Sequence, residues 1–326
     1  CIIILLITLS LCIGAISATD NSSVVSNDSS INHNSPIVDD SIVSDSSSYN
    51  TTSSKDKQLL KSADVNVYTN DNSNSGSFTD LNNKIVNGGN YISLNQNYTY
   101  NPTTDSSFKN GVTISKSITI NGNGYTINGL NIAEAFNIRS SGVTIANCSI
   151  INTNSTTSGG AIYSSNSNNV LIYNCTFINS TGSNGGAIFL FKGKNCSIDY
   201  CKFINTSSNS GGALYWYGAS GTISNCKFIN TISEDGGAIF WNDGNNTKIL
   251  NCNFTNTHSN KFGGAILLFG LASMSNCYII NSSFVNTSSD DQGGALYWYG
   301  PNATLENCRF INDTSLDKGG AISCII

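Results

Sequence analysis

The sequence predicts an all-β fold, a parallel β-helix wound from coils of about 26 residues, and three observations in its second half carry that prediction. The run Gly-Gly-Ala-[Ile/Leu] begins at Gly159, Gly185, Gly211, Gly236, Gly263, Gly293 and Gly319, with spacings of 26, 26, 25, 27, 30 and 26 residues. A second element recurs between the copies. It reads Asn-Cys-Thr-Phe at Asn174 to Phe177, and its counterparts end in Phe203, Phe228, Phe254, Phe284 and Phe310. Each Phe is followed two residues later by an Asn: Asn179, Asn205, Asn230, Asn256, Asn286 and Asn312. Between these marks lie short alternating segments such as Val170-Leu171-Ile172-Tyr173, broken by Gly, Asn, Ser and Asp, and no stretch keeps a 3.6-residue apolar period. A coil of this length takes three strands of roughly four to six residues with three turns, and successive coils stack at about 4.8 Å through backbone hydrogen bonds. In such a stack an Asn at a tight turn ladders its amide with the Asn above and below. The paired glycines suit a turn that needs positive φ or close backbone approach.

Taken from the N-terminus, Cys1 to Ala18 is an uncharged apolar run ending Ala15-Ile16-Ser17-Ala18, the pattern of a signal-peptide core and small-residue cleavage site. It is short for a membrane span. Residues 19–75 are rich in Ser, Asn, Asp and Thr, too polar to bury a core, and read as a disordered linker. Phe78, Leu81 and Ile85 then fall at i, i+3 and i+7, one amphipathic helix suited to cover the exposed first edge of a solenoid. Residues 76–146 are read as this cap plus irregular first coils, and 147–326 as the regular repeats. The chain lacks an initiating Met and a basic leader, and Gly319 onward opens another coil, so it reads as a piece of a longer protein.

The pairing of Gly-Gly-Ala-[Ile/Leu] with the Phe-plus-Asn element resembles the repeats of chlamydial polymorphic outer membrane proteins and of adhesin-like surface proteins of methanogenic archaea. Both lie within the pectin-lyase-like superfamily, and the resemblance implies a right-handed parallel β-helix. It covers about Asn147 to the C-terminus well, and the region from Phe78 more loosely. The chlamydial pattern is Phe-x-x-Asn, whereas here Asn comes one place earlier, as in Phe177-Ile178-Asn179, which favours the adhesin-like relatives.

Charged residues make up 11% of the chain, well below the usual share of roughly a quarter, and the net charge of -5 argues against a nucleic-acid partner. Six cysteines, Cys148, Cys175, Cys201, Cys226, Cys252 and Cys308, form one column. Stacked Cys on adjacent coils have parallel Cα–Cβ vectors that suit a bridge poorly, so they read as small buried thiols. No metal or other cofactor is expected, since zinc sites take Cys-x-x-Cys pairs or Cys/His clusters, and the two histidines are His33 in the linker and His258 in a turn. The acids before Gly-Gly, namely Glu234-Asp235, Asp290-Asp291 and Asp317, fall on the same turn in separate coils with Lys261 between the first two, and read as a solvated turn. No polygalacturonase-type Asn-Thr-Asp, Gly-His-Gly or Arg-Ile-Lys accompanies Asp290-Asp291, and no catalytic residue is assigned.

What remains is surface. The strand after each Gly-Gly-Ala is aromatic, as in Leu214-Tyr215-Trp216-Tyr217, and side chains alternate across a strand. Either Trp216, Trp241 and Trp298 face the core and Tyr163, Phe189, Tyr215, Phe240 and Tyr297 face outward, or the reverse, so all eight are candidate ligand-facing aromatics. The expectation is a non-enzymatic, adhesin-like protein at the cell surface, with host or neighbour-cell glycans or surface proteins as partners. Membrane association would run only through the signal peptide or an anchor outside this sequence. The alternatives are a β-helix polysaccharide lyase or glycoside hydrolase whose catalytic coils lie elsewhere, and a structural spacer.

Overall fold

The computed structural model describes residues 75–270, 276–300 and 303–325. The sequence readings for residues 1–74, a signal peptide and a polar linker, lie outside the described residues. No described helix is long and apolar enough to cross a membrane.

The described chain is a parallel β-solenoid. Sheet I runs from the strand Tyr91–Ser93 to Ala303–Glu306, sheet II from Tyr98–Thr99 to Arg309–Ile311, and sheet III from Asn110–Ile114 to Ile322–Ile325, each with nine strands. Every strand pairs in parallel with the equivalent strand one coil on. Phe177 thus sits beside Phe203, then Phe228, Phe254, Phe284 and Phe310. A fourth sheet of five short strands, from Ser207–Ser210 to Thr314–Ser315, departs from the three-strand coil. It forms because the polar residues between the Asn turn and Gly-Gly extend far enough to pair across coils, as Ser207 does with Ile232 and Ser233 with Ser259.

The interior is made of columns. On sheet II the Phe rings from Phe177 to Phe310 stack face to face, with centroids 4.7–5.0 Å apart and planes within 6°. This follows from period-2 strands held in strict register, which return the same side chain to the same place on every coil. Corners repeat equally. Asn179, Asn205, Asn230, Asn256, Asn286 and Asn312 take left-handed backbone with φ of 52–54°. Asn adopts this conformation more readily than other residues with a Cβ, and its amide closes the ladder. Asn205 Nδ2 donates to Asn179 Oδ1 at 3.3 Å, and Asn230 Nδ2 to Asn205 Oδ1 at 3.2 Å. Cys148, Cys175, Cys201, Cys226 and Cys252 are buried free thiols, and the Cys148 and Cys175 sulfurs stand 3.6 Å apart. Burial pushes the Cys201 and Cys226 thiols well above their ordinary range.

The first edge of the stack is covered by a helix, Phe78–Asn87, capped by Ser77 in a reciprocal box with Asp80. Its Phe78, Leu81 and Ile85 are buried in the core. Asp105, on a later turn, is fully buried and clamps the helix N-terminus. It accepts from Phe78 N at 2.8 Å, Thr79 N at 3.0 Å, Thr79 Oγ1 at 2.7 Å and Asn101 N at 2.9 Å. Burial pulls its pKa upward, but these hydrogen bonds outweigh burial and hold the carboxyl below its ordinary value.

Candidate functional site

Sheet III decides which aromatics meet solvent. The Ile or Leu after Gly-Gly-Ala points inward, and so does the residue two places later, which puts Trp216 and Trp241 in the core at 0% exposure, their rings stacked at 4.6 Å. Trp216 and Trp241 therefore drop out of the candidate ligand-facing set. They are buried because a two-residue period sends them to the same side as Leu214 and Ile239. Trp298 stands in register with them and packs half-buried against the core.

Tyr163, Phe189, Tyr215 and Phe240 occupy the opposite, outward positions in register. Leu267 follows them, and then Tyr297, which shares the column but is only 7% exposed, because the Phe262 ring lies against it at 4.6 Å. A second outward column runs two residues further along each strand: Phe191, Tyr217, Asn242, Phe269 and Tyr299. The sequence reading passed over this column, although the same alternation that placed Tyr215 outside also places Tyr217 there. Both columns carry rings on the coils of Phe189 and Tyr215 and again on that of Tyr297, while Asn242 and the buried Leu267 interrupt them, and the strip spans five successive coils, about 19 Å along the axis at about 4.8 Å per coil.

Ring orientation shapes this surface. Tyr163, Phe189 and Tyr215 stack at 5.6 and 5.1 Å with planes within 20°, and Phe191 stacks on Tyr217 at 5.2 Å. Rings stacked along the axis cover one another's faces and turn their edges and phenol oxygens outward. The ladder breaks at Phe240, whose plane is turned 70° from Tyr215 and 87° from Phe269. Asn242 Nδ2 donates to the Tyr215 hydroxyl at 3.2 Å, and cations flank one end, with Lys192 over Phe191 at 5.0 Å and Arg139 over Tyr163 at 5.6 Å. The result is an apolar strip tipped with hydroxyl and amide groups.

The acidic turn contrasts with it. Glu234 is paired with Lys261 at 3.2 Å and accepts from Asn260, which holds its carboxyl below the usual range. His258 bonds Ser288 at 2.9 Å and lies 3.8 Å from Asp290. Asp317 accepts from Gln292 at 3.3 Å. No group of three or more His, Cys, Asp or Glu side chains positioned to hold a metal ion occurs among the described residues.

One carboxyl the sequence reading did not single out stands apart. Glu134 is 3% exposed, accepts from the Ser155 hydroxyl at 2.6 Å, and has its pKa raised to about 7 by burial, with the Ser155 hydrogen bond opposing. The signal was present in Ala133-Glu134-Ala135, which takes the place of Gly159-Gly160-Ala161 one coil earlier.

These features define the molecule as a parallel β-solenoid with an aromatic outer sheet. Residues 212–319 match the family described as right handed beta helix region. No curated protein matches the chain. Among solved structures it is similar to PfbA, a surface adhesin of Streptococcus pneumoniae, at 13% identity and a TM-score of 0.40, over 76% of this chain and 94% of that one. It is also similar to the catalytic domain of a GH87 alpha-1,3-glucanase solved with nigerose, at 13% identity and a TM-score of 0.35, over 75% of this chain and 63% of that one.

Proposed function

We propose that this protein is a non-enzymatic, adhesin-like surface protein whose sheet III holds glycans against its outer aromatic columns. The observation that carries the reading is the outward strip of rings on sheet III, doubled on the adjacent coils of Phe189 with Phe191 and Tyr215 with Tyr217. A contiguous apolar strip on a water-facing sheet marks a binding surface. Its hydroxyl and amide tips suit a ligand that alternates C–H and O–H groups, as a sugar chain does. The acids on the Gly-Gly turn support a non-catalytic reading, since Glu234 is engaged with Lys261 and Asn260, and Asp317 with Gln292.

The test is a glycan array with cell binding on the full chain, run beside polysaccharide depolymerisation on the same sample. Binding without product release is expected, and the double variant Phe191→Ala/Tyr217→Ala should weaken it at least tenfold. Binding by the double variant equal to wild type would remove sheet III as the ligand face. Product release would make the protein an enzyme, and silence in both arms would leave a structural spacer.

A further inference from the structure

A glutamate stands in a column that the later coils keep for glycine. Ala135 N and Phe136 N both donate to Ala161 O at 2.8 and 3.0 Å, as Ala161 N and Ile162 N do to Ala187 O, so Glu134 aligns with Gly160. In the regular coils a Cβ at this place would run into the backbone of the next coil. Here the side chain lies against the Ser155–Ser158 segment. Ser155 donates to one carboxyl oxygen, and its own oxygen accepts from Ser158 N at 3.1 Å.

That group forms part of the wall of a recess of about 260 Å³, shared with Asn110, Asn137, Arg139, Thr157 and Tyr163. Arg139 Nε donates to Asn137 Oδ1 at 2.8 Å, and its guanidinium lies over the Tyr163 ring. Among the described residues no carboxylate lies within ion-pair distance of Arg139, which leaves most of its donor fork open. The recess adjoins Tyr163, the first ring of the outer columns. Its volume falls below the roughly 300 Å³ at which pockets for drug-sized ligands begin, which suits a single sugar ring.

We propose that this recess is a subsite for an acidic sugar, with the ligand carboxylate on the Arg139 guanidinium, a ring hydroxyl on the Glu134 carboxyl and the sugar ring beside Tyr163. The inference rests on the reading of sheet III as a glycan-holding face, and it names the sugar that the face receives at its Tyr163 end. Arg matches a carboxylate with two parallel hydrogen bonds. Protonated Glu134 donates to the ligand, whereas ionised Glu134 repels the ligand carboxylate, so affinity falls as pH rises through about 7. The charged and titratable groups around Glu134 are Arg139 beyond its own strand, Lys109 beside Asn110 on the preceding coil and Tyr163 on the next. The Ser155–Ser158 segment contributes none.

The test titrates the full chain with D-glucuronate, N-acetylneuraminate and D-glucose at pH 6 and pH 8, followed by ligand-observed NMR, with a neutral glucan hexasaccharide as a separate arm. An acidic sugar should bind at least tenfold more tightly than glucose and lose at least tenfold in Arg139→Gln. Glu134→Gln should bind it equally at the two pH values, and Tyr173→Ala, on the outside of sheet I, should match wild type. Equal affinity for glucose and both acidic sugars, or an Arg139→Gln protein that binds like wild type, overturns the inference. Hexasaccharide binding that needs Phe191 and Tyr217, without acid preference, would sink this subsite and keep the glycan-holding face. Acid binding through Arg139 without hexasaccharide binding would do the reverse.

Discussion

Gly236 and Gly237 meet two different demands at one corner. Gly236 has φ of 65°, in the left-handed region, while a Cβ on Gly237 would collide with the Gly264 carbonyl and stand 2.7 Å from the His258 carbonyl. Gly237→Val should therefore destabilise the fold by about 3 kcal/mol, because the next coil would have to move away. Thermal melting checks this, and a melting temperature equal to wild type would count against the stacked corner. Glu134 gives a residue-scale pH dependence. Its folded pKa of about 7 lies above the ordinary 4.5, so the folded state binds the proton more tightly. Its contribution is complete below pH 4.5 and is lost as pH rises through 7, by roughly 3 kcal/mol. Urea midpoints at pH 5 and pH 8.5 should show this loss in wild type, and Glu134→Gln should lack that component.

At the scale of elements, the sheet II phenylalanines act as a column. Phe254 is fully buried between Phe228 and Phe284, 4.7 and 4.8 Å away. Phe254→Ala should cost about 3–5 kcal/mol. Because each coil touches mainly its neighbours, the damage should be concentrated there, and hydrogen exchange should rise first in the strands Lys227–Ile229 and Ser283–Val285. Protection lost evenly over all coils would contradict this. The terminal helix depends on Asp105, which satisfies two of its first backbone N–H groups. Asp105→Ala should loosen Phe78–Asn87 while the middle coils hold, and exchange across that helix reports it.

For the molecule as a whole, stacking sets chemical access. Cys148, Cys175, Cys196, Cys201, Cys226, Cys252 and Cys277 are buried. In native protein a thiol reagent should leave those seven unmodified, and denaturant should release all seven. Mass spectrometry after brief labelling measures this, and early modification of Cys226 would show that the stack opens locally.

The repeat length, parallel stacking, Asn corners, paired glycines and helical cap were legible in the residues because register copies a local need onto every coil. A turn requiring left-handed backbone selects Asn179 and its equivalents each time round, and a crowded corner selects Gly. Alternation alone narrowed the aromatic strands to two columns without choosing the outer one. That choice depended on which side Leu214 and Ile239 took, and tertiary packing sent Trp216 and Trp241 inward with them. The cover of Phe262 over Tyr297, the turned ring of Phe240 and the recess around Glu134 lay beyond sequence reasoning for one physical reason. Each joins side chains from different coils, and the distances and angles between them exist only once the coils are stacked.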